Sequence, residues 1–167
     1  AERISAAGGS IRVYAKIGDH PASDRVKQLI AEEEKMGLYD SSALQAFADR
    51  VVKVKYDLVA LLLKCKQDGS RIVGIGAPGR SNTLLGYTHI DSSILDYNCE
   101  KAGSPKIGLL TPGTHIPIVD ERKLLEEQPP YALVNSWHIG DELVKKFKDL
   151  GYKGKCIIPL PVPHIAE

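Results

Sequence analysis

Cysteine is sparse in this chain: Cys65, Cys99 and Cys156 are the only three, each far from the others. An odd, scattered set builds neither a disulfide framework nor the C-x-x-C pairs of a zinc site, and reduced thiols in a cytoplasmic protein are the plain expectation. The histidines His20, His89 and His164 share no ligand spacing, so no metal site is expected. An excess of either charge is missing too. With 22 Lys+Arg against 21 Asp+Glu the formal net charge is +1, which removes the electrostatic footprint of a general nucleic-acid binder. No apolar run approaches the roughly 20 residues that cross a bilayer, and the amino end has no basic-then-apolar leader, so no membrane partner is expected. There is no internal repeat and no low-complexity tract. Methionine is nearly absent: Met36 is the only one and the chain opens Ala1-Glu2-Arg3, which points to a piece of something longer or a processed product. What remains, 167 residues with 43% hydrophobic and 26% charged, fits one globular domain able to bury a core without staples.

The pattern of the chain is α/β. Ser10-Ile-Arg-Val-Tyr-Ala15 alternates after the Gly8-Gly9 break and predicts a strand with Ile11, Val13 and Ala15 on one face. Residues 22–36 predict a helix that stops at Gly37. A stronger helix follows over residues 40–68, capped by Asp40, Ser41 or Ser42 and ended by Asp68-Gly69. Its apolar residues recur at steps of three and four through Leu44, Phe47, Val51, Val54, Leu58, Leu61, Leu62 and Cys65. At about 27 residues and roughly 40 Å it is long for a small domain, as a core helix that also reaches a neighbouring domain or subunit would be.

From Arg71 short apolar runs alternate with helical stretches. Residues 71–75, 94–96, 131–134 and 156–158 read as strands, while residues 81–85, 121–126 and 140–150 read as helices. Such alternation means βαβ units, and hence a Rossmann-like parallel sheet of about five strands covered by helices on both faces. The expected division is a strand and two-helix arm over residues 1–69, then the α/β domain over residues 70–167, the two small enough to share one core.

The most informative residues are Gly74-Ile-Gly76-Ala-Pro-Gly79, between a predicted strand and a predicted helix, the context a G-x-G-x-x-G turn requires. Glycine permits positive φ and removes the Cβ that would keep a phosphate from the backbone; the following helix offers unpaired N–H groups and the positive end of its dipole. Ala77 and Pro78 lie inside the turn, and Pro78 stiffens it, a departure from many dinucleotide fingerprints. Arg80 can pair with a phosphate, and Ser81, Asn82 and Thr83 add polar groups at the helix start. Asp96, about 20 residues past Gly76, falls where an acid meets a ribose hydroxyl. The turn suits NAD(P), a flavin, S-adenosylmethionine or another nucleotide, or is a tight bend without ligand. If it cradles a ligand, Gly76→Val blocks the approach and spares the fold.

Two further clusters fall at strand ends in this reading. Thr111-Pro-Gly-Thr114-His115 is a compact polar loop suited to a pocket mouth. Asn135-Ser-Trp137-His138 follows the strand at 131–134, so Trp137 can stack on a ring and His138 can donate to a hydroxyl. Core packing for Trp137 and a hydrogen-bonded structural role for both histidines are the alternatives.

The stretches Gly76-Ala-Pro-Gly-Arg-Ser-Asn-Thr-Leu-Leu85, Thr111-Pro-Gly-Thr-His-Ile-Pro-Ile118, Ser136-Trp-His138 and Gly8-Gly-Ser-Ile-Arg-Val-Tyr14 together resemble the C-terminal domain of S-adenosylmethionine-dependent sugar C-methyltransferases. The resemblance runs over nearly the whole chain. Ser81 stands where that family usually has Gly, and His138 where Asn is common. Full-length members join a cysteine-rich zinc module, a methyltransferase domain and this Rossmann-like domain, with their catalytic His and Glu upstream of the Gly-Gly-Ser strand. The resemblance therefore implies a substrate-holding domain without catalytic residues. Its partners are a nucleotide-linked sugar and an upstream donor-binding domain or separate methyltransferase subunit. The implied cofactor is S-adenosylmethionine for the full enzyme and none for this chain, which alone is expected to be inactive. Two readings from other classes rest on the residues directly: a free-standing NAD(P)-binding oxidoreductase domain, from the glycine turn and Asp96, and a non-catalytic docking module, from the long helix.

Overall fold

The computed structural model describes residues 1–67 and 69–166, the side chain of Ala7 excepted; Asp68, expected to help end the long helix, and Glu167 lie outside the described residues. The chain divides into two units, Ala1–Val51 and Val52–Glu167.

In the first unit β1 (Glu2–Ile4) and β2 (Ser10–Arg12) form an antiparallel hairpin in which Glu2 lies opposite Arg12 and Ile4 opposite Ser10. Gly8 and Gly9 turn the chain at φ +84° and +120°, the left-handed region that side chains disfavour. The expected strand is thus half as long as its alternation implied and is paired with a partner the pattern did not reveal. It stops at Arg12, and Val13 is 70% exposed. Helix α1 (Asp24–Lys35) ends ahead of Gly37 at φ +70°, and α2 (Ser41–Gln67) runs on into the second unit.

The second unit is a six-stranded sheet. Its members are β3 (Ile72–Ile75), β4 (Asn98–Glu100), β5 (Ile118–Asp120), β6 (Tyr131–Val134), β7 (Lys155–Ile158) and β8 (His164–Ala166). The spatial order is β5-β4-β3-β6-β7-β8; the first five are mutually parallel, and β8 closes the edge antiparallel to β7. Helices α3 (Gly79–Thr88), α4 (Arg122–Glu127) and α5 (Gly140–Asp149) connect them.

Period-two alternation assigns each strand residue to one of two cores. Val73 and Ile75, Ala132 and Val134, and Cys156 and Ile158 face one side, where Leu124 of α4 and Phe147 of α5 cover them. Ile72, Leu133 and Ile157 face the other, under Leu58, Leu62 and Cys65 of α2 and Leu85 of α3. Apolar strands buried on both faces are what a parallel sheet requires.

The α/β class and the helices on both faces stand as expected. One strand does not. Residues 94–96 end a turn that begins at Asp91, in which the Asp91 carboxylate accepts from the amide and hydroxyl of Ser93, and Leu95 is apolar because it plugs the core from that turn. The strand begins at Asn98 instead. The short strands β5 and β8, three residues each, escaped the pattern altogether. No helix among the described residues is long and apolar enough to cross a membrane.

Candidate ligand-binding site

In an open sheet of this order the chain leaves β3 toward one side and β6 toward the other, and the diverging loops open a crevice at their carboxyl ends. The β3 loop is the glycine turn. Gly76 adopts φ +84°, its N–H donates to Cys99 O at 2.7 Å, and its carbonyl accepts from Asn135 Nδ2 at 2.9 Å. The turn is therefore tied to the strand on either side. A Cβ on Gly76 would lie 2.8 Å from the Ser136 hydroxyl, so the first residues after β6 close against the turn from across the crevice. The valine expected to spare the fold at this position meets both that hydroxyl and an unfavourable backbone angle.

Beneath the turn, Gly74 has no Cβ because a polar pair occupies the space. Asn98 and Asn135 are both fully buried and meet over Gly74, Asn135 Nδ2 donating to Asn98 Oδ1 at 2.8 Å. The amide orientation follows from Gly76 O, which only the nitrogen of Asn135 can satisfy. Asn98 Nδ2, Asn135 Oδ1 and His138 Nδ1 are buried without a hydrogen-bond partner among the described residues. Orphaned buried polar atoms are rare in folded proteins, and all three lie on β4 or on the segment that follows β6.

The amides of the turn are less open than the motif implied. Ala77 N–H donates to Glu100 Oε1 at 2.7 Å, and Lys106 Nζ donates to Ala77 O at 2.8 Å while lying 4.0 Å from that same Glu100 oxygen. Pro78 has no N–H to offer. Ser81 is fully buried and turned inward, its hydroxyl donating to Pro78 O at 2.7 Å. What faces outward is the first turn of α3: Gly79, with open space where a Cβ would stand, then exposed Arg80, half-buried Asn82 and exposed Thr83.

Of the residues singled out in the sequence, residues 74–83 form the end of β3, the glycine turn and the start of α3, while Trp137 and His138 follow β6 in the short 3-10 turn Trp137–Ile139. Trp137 packs against the core cluster of Val73, Val134 and Phe147, the alternative reading of that side chain.

Three residues lie elsewhere, and the expectation that all clusters share the carboxyl end of the sheet is corrected. Asp96 precedes β4, its N–H donating to the carbonyl of Ile72 at the start of β3, and its carboxylate is taken by Arg71 at 2.6 Å and Lys66 at 3.5 Å. It belongs to the opposite, amino-terminal end. Thr114 and His115 sit in the turn of a hairpin that runs back before β5: Leu110 bridges Pro117 antiparallel, and Pro117 O accepts from Asn98 N at the beginning of β4. There Thr114 bonds Thr111, whose Oγ1 accepts from Ile116 N, and His115 takes φ +51° to close the turn. These are turn-building roles.

The residues at the turn that the sequence pattern does not reveal are Glu100, Lys106 and Ser136. Glu100 carries a signal, since it follows Tyr97-Asn-Cys99 and lies 24 positions past Gly76, but the pattern predicts the strand four residues too early. Neither Cys99 nor Cys156 is poised as a nucleophile. Burial pushes Cys99 up to about 12, and Cys156 is raised for the same reason. A recess of about 660 Å³ between α5 and β8, lined by Asp141, Lys145, Lys148 and His164, contains none of these residues.

Five parallel strands in the order that places the first and fourth side by side, with a glycine turn after the first, define a Rossmann-like α/β domain. The family model for the C-methyltransferase C-terminal domain matches residues 5–161, and the chain belongs to that family. It is similar to C-methyltransferase NovU of Streptomyces niveus, 29% identical over 161 residues that make up 95% of this chain and 38% of that protein. The chain thus spans about two fifths of the length of that relative.

Proposed function

We propose that this domain holds a nucleotide-linked sugar for a C-methyltransferase, in the crevice between β3 and β6. The methyl donor, S-adenosylmethionine, is bound by an upstream domain or a separate subunit in the cytoplasm, and the isolated chain transfers no methyl group. The observation that carries this reading is the glycine turn at a strand-order reversal, in a domain of a C-methyltransferase family.

The residues present do not fit a donor site. The donor is a sulfonium cation, and Lys106, which donates to Ala77 O, brings a second positive charge against the turn. The same lysine and the outward amino end of α3 complement a diphosphate. In the proposed complex the chain orients the sugar and excludes water from one side of it, which converts a bimolecular encounter into a positioned one. The proton removal beside a sugar ketone and the attack on the sulfonium methyl belong to residues outside this chain.

Isothermal titration calorimetry of the chain with uridine or thymidine diphosphate glucose, NADH and S-adenosylmethionine tests this. Saturable heat with the nucleotide sugars alone is expected. Binding of NADH or S-adenosylmethionine with none for the sugars refutes the proposal.

A further inference from the structure

Glu100 occupies the carboxyl end of β4, the strand hydrogen-bonded to the glycine-turn strand on the side away from β6. In sheets of this order that is where an acid reaches the hydroxyls of a bound nucleoside, and Asp96, the residue whose sequence spacing matched the role, lies at the other end. The side chain is held in place rather than free. Oε1 accepts from Ala77 N–H at 2.7 Å, and Lys106, which also grips Ala77 O, stands 4.0 Å from that oxygen. Among the described residues Oε2 takes no hydrogen bond, and the side chain keeps 18% of its surface open. A carboxylate only accepts, through two oxygens with about four lone-pair directions in all, so half of that capacity is directed outward. It repels phosphate oxygens and welcomes O–H donors. Two adjacent hydroxyls on one ring match the outward oxygen in number and polarity.

Resting on the function proposed above, we infer that Glu100 is a specificity-determining residue: its outward oxygen accepts hydrogen bonds from a vicinal diol of the bound nucleotide sugar. The diol is that of the ribose or that of the hexose. Ala77 and Lys106 are positioning groups that keep the carboxylate aimed.

The test is calorimetric titration of the wild type and Glu100→Gln with uridine diphosphate, uridine diphosphate glucose and the two thymidine counterparts, whose deoxyribose lacks the 2′-hydroxyl. Exchange of a charged acceptor for a neutral amide is expected to weaken the affected complexes about 10–100-fold. A loss confined to the uridine ligands assigns the contact to the ribose. A loss confined to the two sugar-bearing ligands assigns it to the hexose. Equal affinities in wild type and variant, within twofold for all ligands, overturn the inference and leave the functional reading intact; failure of the wild type to bind any of the four removes both. Should Glu100→Gln unfold early in a thermal melt, the wild type is titrated with the 2′-deoxyuridine and 2-deoxyglucose analogues of uridine diphosphate glucose. A loss of tenfold or more for either supports the contact, and none for both overturns it.

Discussion

Replacing Gly74 with alanine probes the polar pair under the crevice. Gly74 lies opposite Asn98 on β4 and opposite Leu133 on β6, in the middle of the parallel sheet. A Cβ there would overlap the side-chain oxygen of Asn98 and sit 2.6 Å from Asn135 Nδ2. Both amides are buried among strands, so neither can swing into solvent. The added methyl forces them apart, an overpacking cost of about 1–3 kcal/mol. It also breaks the 2.8 Å bond between them, worth about 1 kcal/mol. Against this, alanine constrains the unfolded chain and recovers about 0.5–1 kcal/mol. The net is about 2 kcal/mol of destabilisation, or roughly 4–8 °C in Tm for a chain of this size. Thermal unfolding followed by circular dichroism measures it. Because the cost arises from overlap with one side chain, Asn98→Ala introduced beside Gly74→Ala relieves part of it, and the double variant loses less than the sum of the singles. A Gly74→Ala melt within about 1 °C of wild type, or strictly additive losses, would falsify this account of the glycine.

Gly76→Val places a β-branched residue at φ +84° and its Cβ within 2.8 Å of Ser136 Oγ. Strain of this kind costs about 1–3 kcal/mol, so the urea midpoint falls even without ligand; an unchanged midpoint contradicts the assigned backbone. Cys65, Cys99 and Cys156 are all buried, and with Cys99 pushed up to about 12 by burial a thiol reagent at neutral pH reacts only on unfolding. Rapid labelling of the native protein counts against that packing.

Acid should weaken the domain at the Arg71 cluster. Glu127 is held below the usual carboxylate range by Lys123 first and then Arg71, at 3.0 and 2.9 Å, and Asp120 is lowered by Arg122. A depressed carboxylate contributes stability that is present above its unfolded value and lost as pH falls through the folded one, so the loss lies below about pH 4. Lys123→Gln is expected to cost less than about 1 kcal/mol at pH 7, as exposed pairs do, and nothing at pH 2. A penalty of equal size at both pH values contradicts the pairing.

The elements that local pattern revealed are those whose signal is local. Strands β3, β6 and β7 are continuous apolar runs bounded by glycine or proline, α2 repeats its apolar residues at helical spacing, and the Gly74–Gly79 run marks a turn because only glycine takes Gly76's backbone angle without strain. Membership of the C-methyltransferase family was also legible, since it rests on residue strings rather than on where they fold.

Geometry across the sheet was not legible. Whether Asp96 or Glu100 meets the glycine turn depends on where β4 begins, and that is set by Asn98 pairing with Gly74 and Ile118 on neighbouring strands. Whether Thr114 and His115 lie near the crevice depends on a hairpin that carries them to the other end of β5. Composition and spacing settle which residues can bend, bury or bond. Long-range pairing decides which of them meet, because a strand's hydrogen-bond partners come from segments tens of residues away, and a shift of four residues moves a carboxylate roughly 13 Å along the sheet.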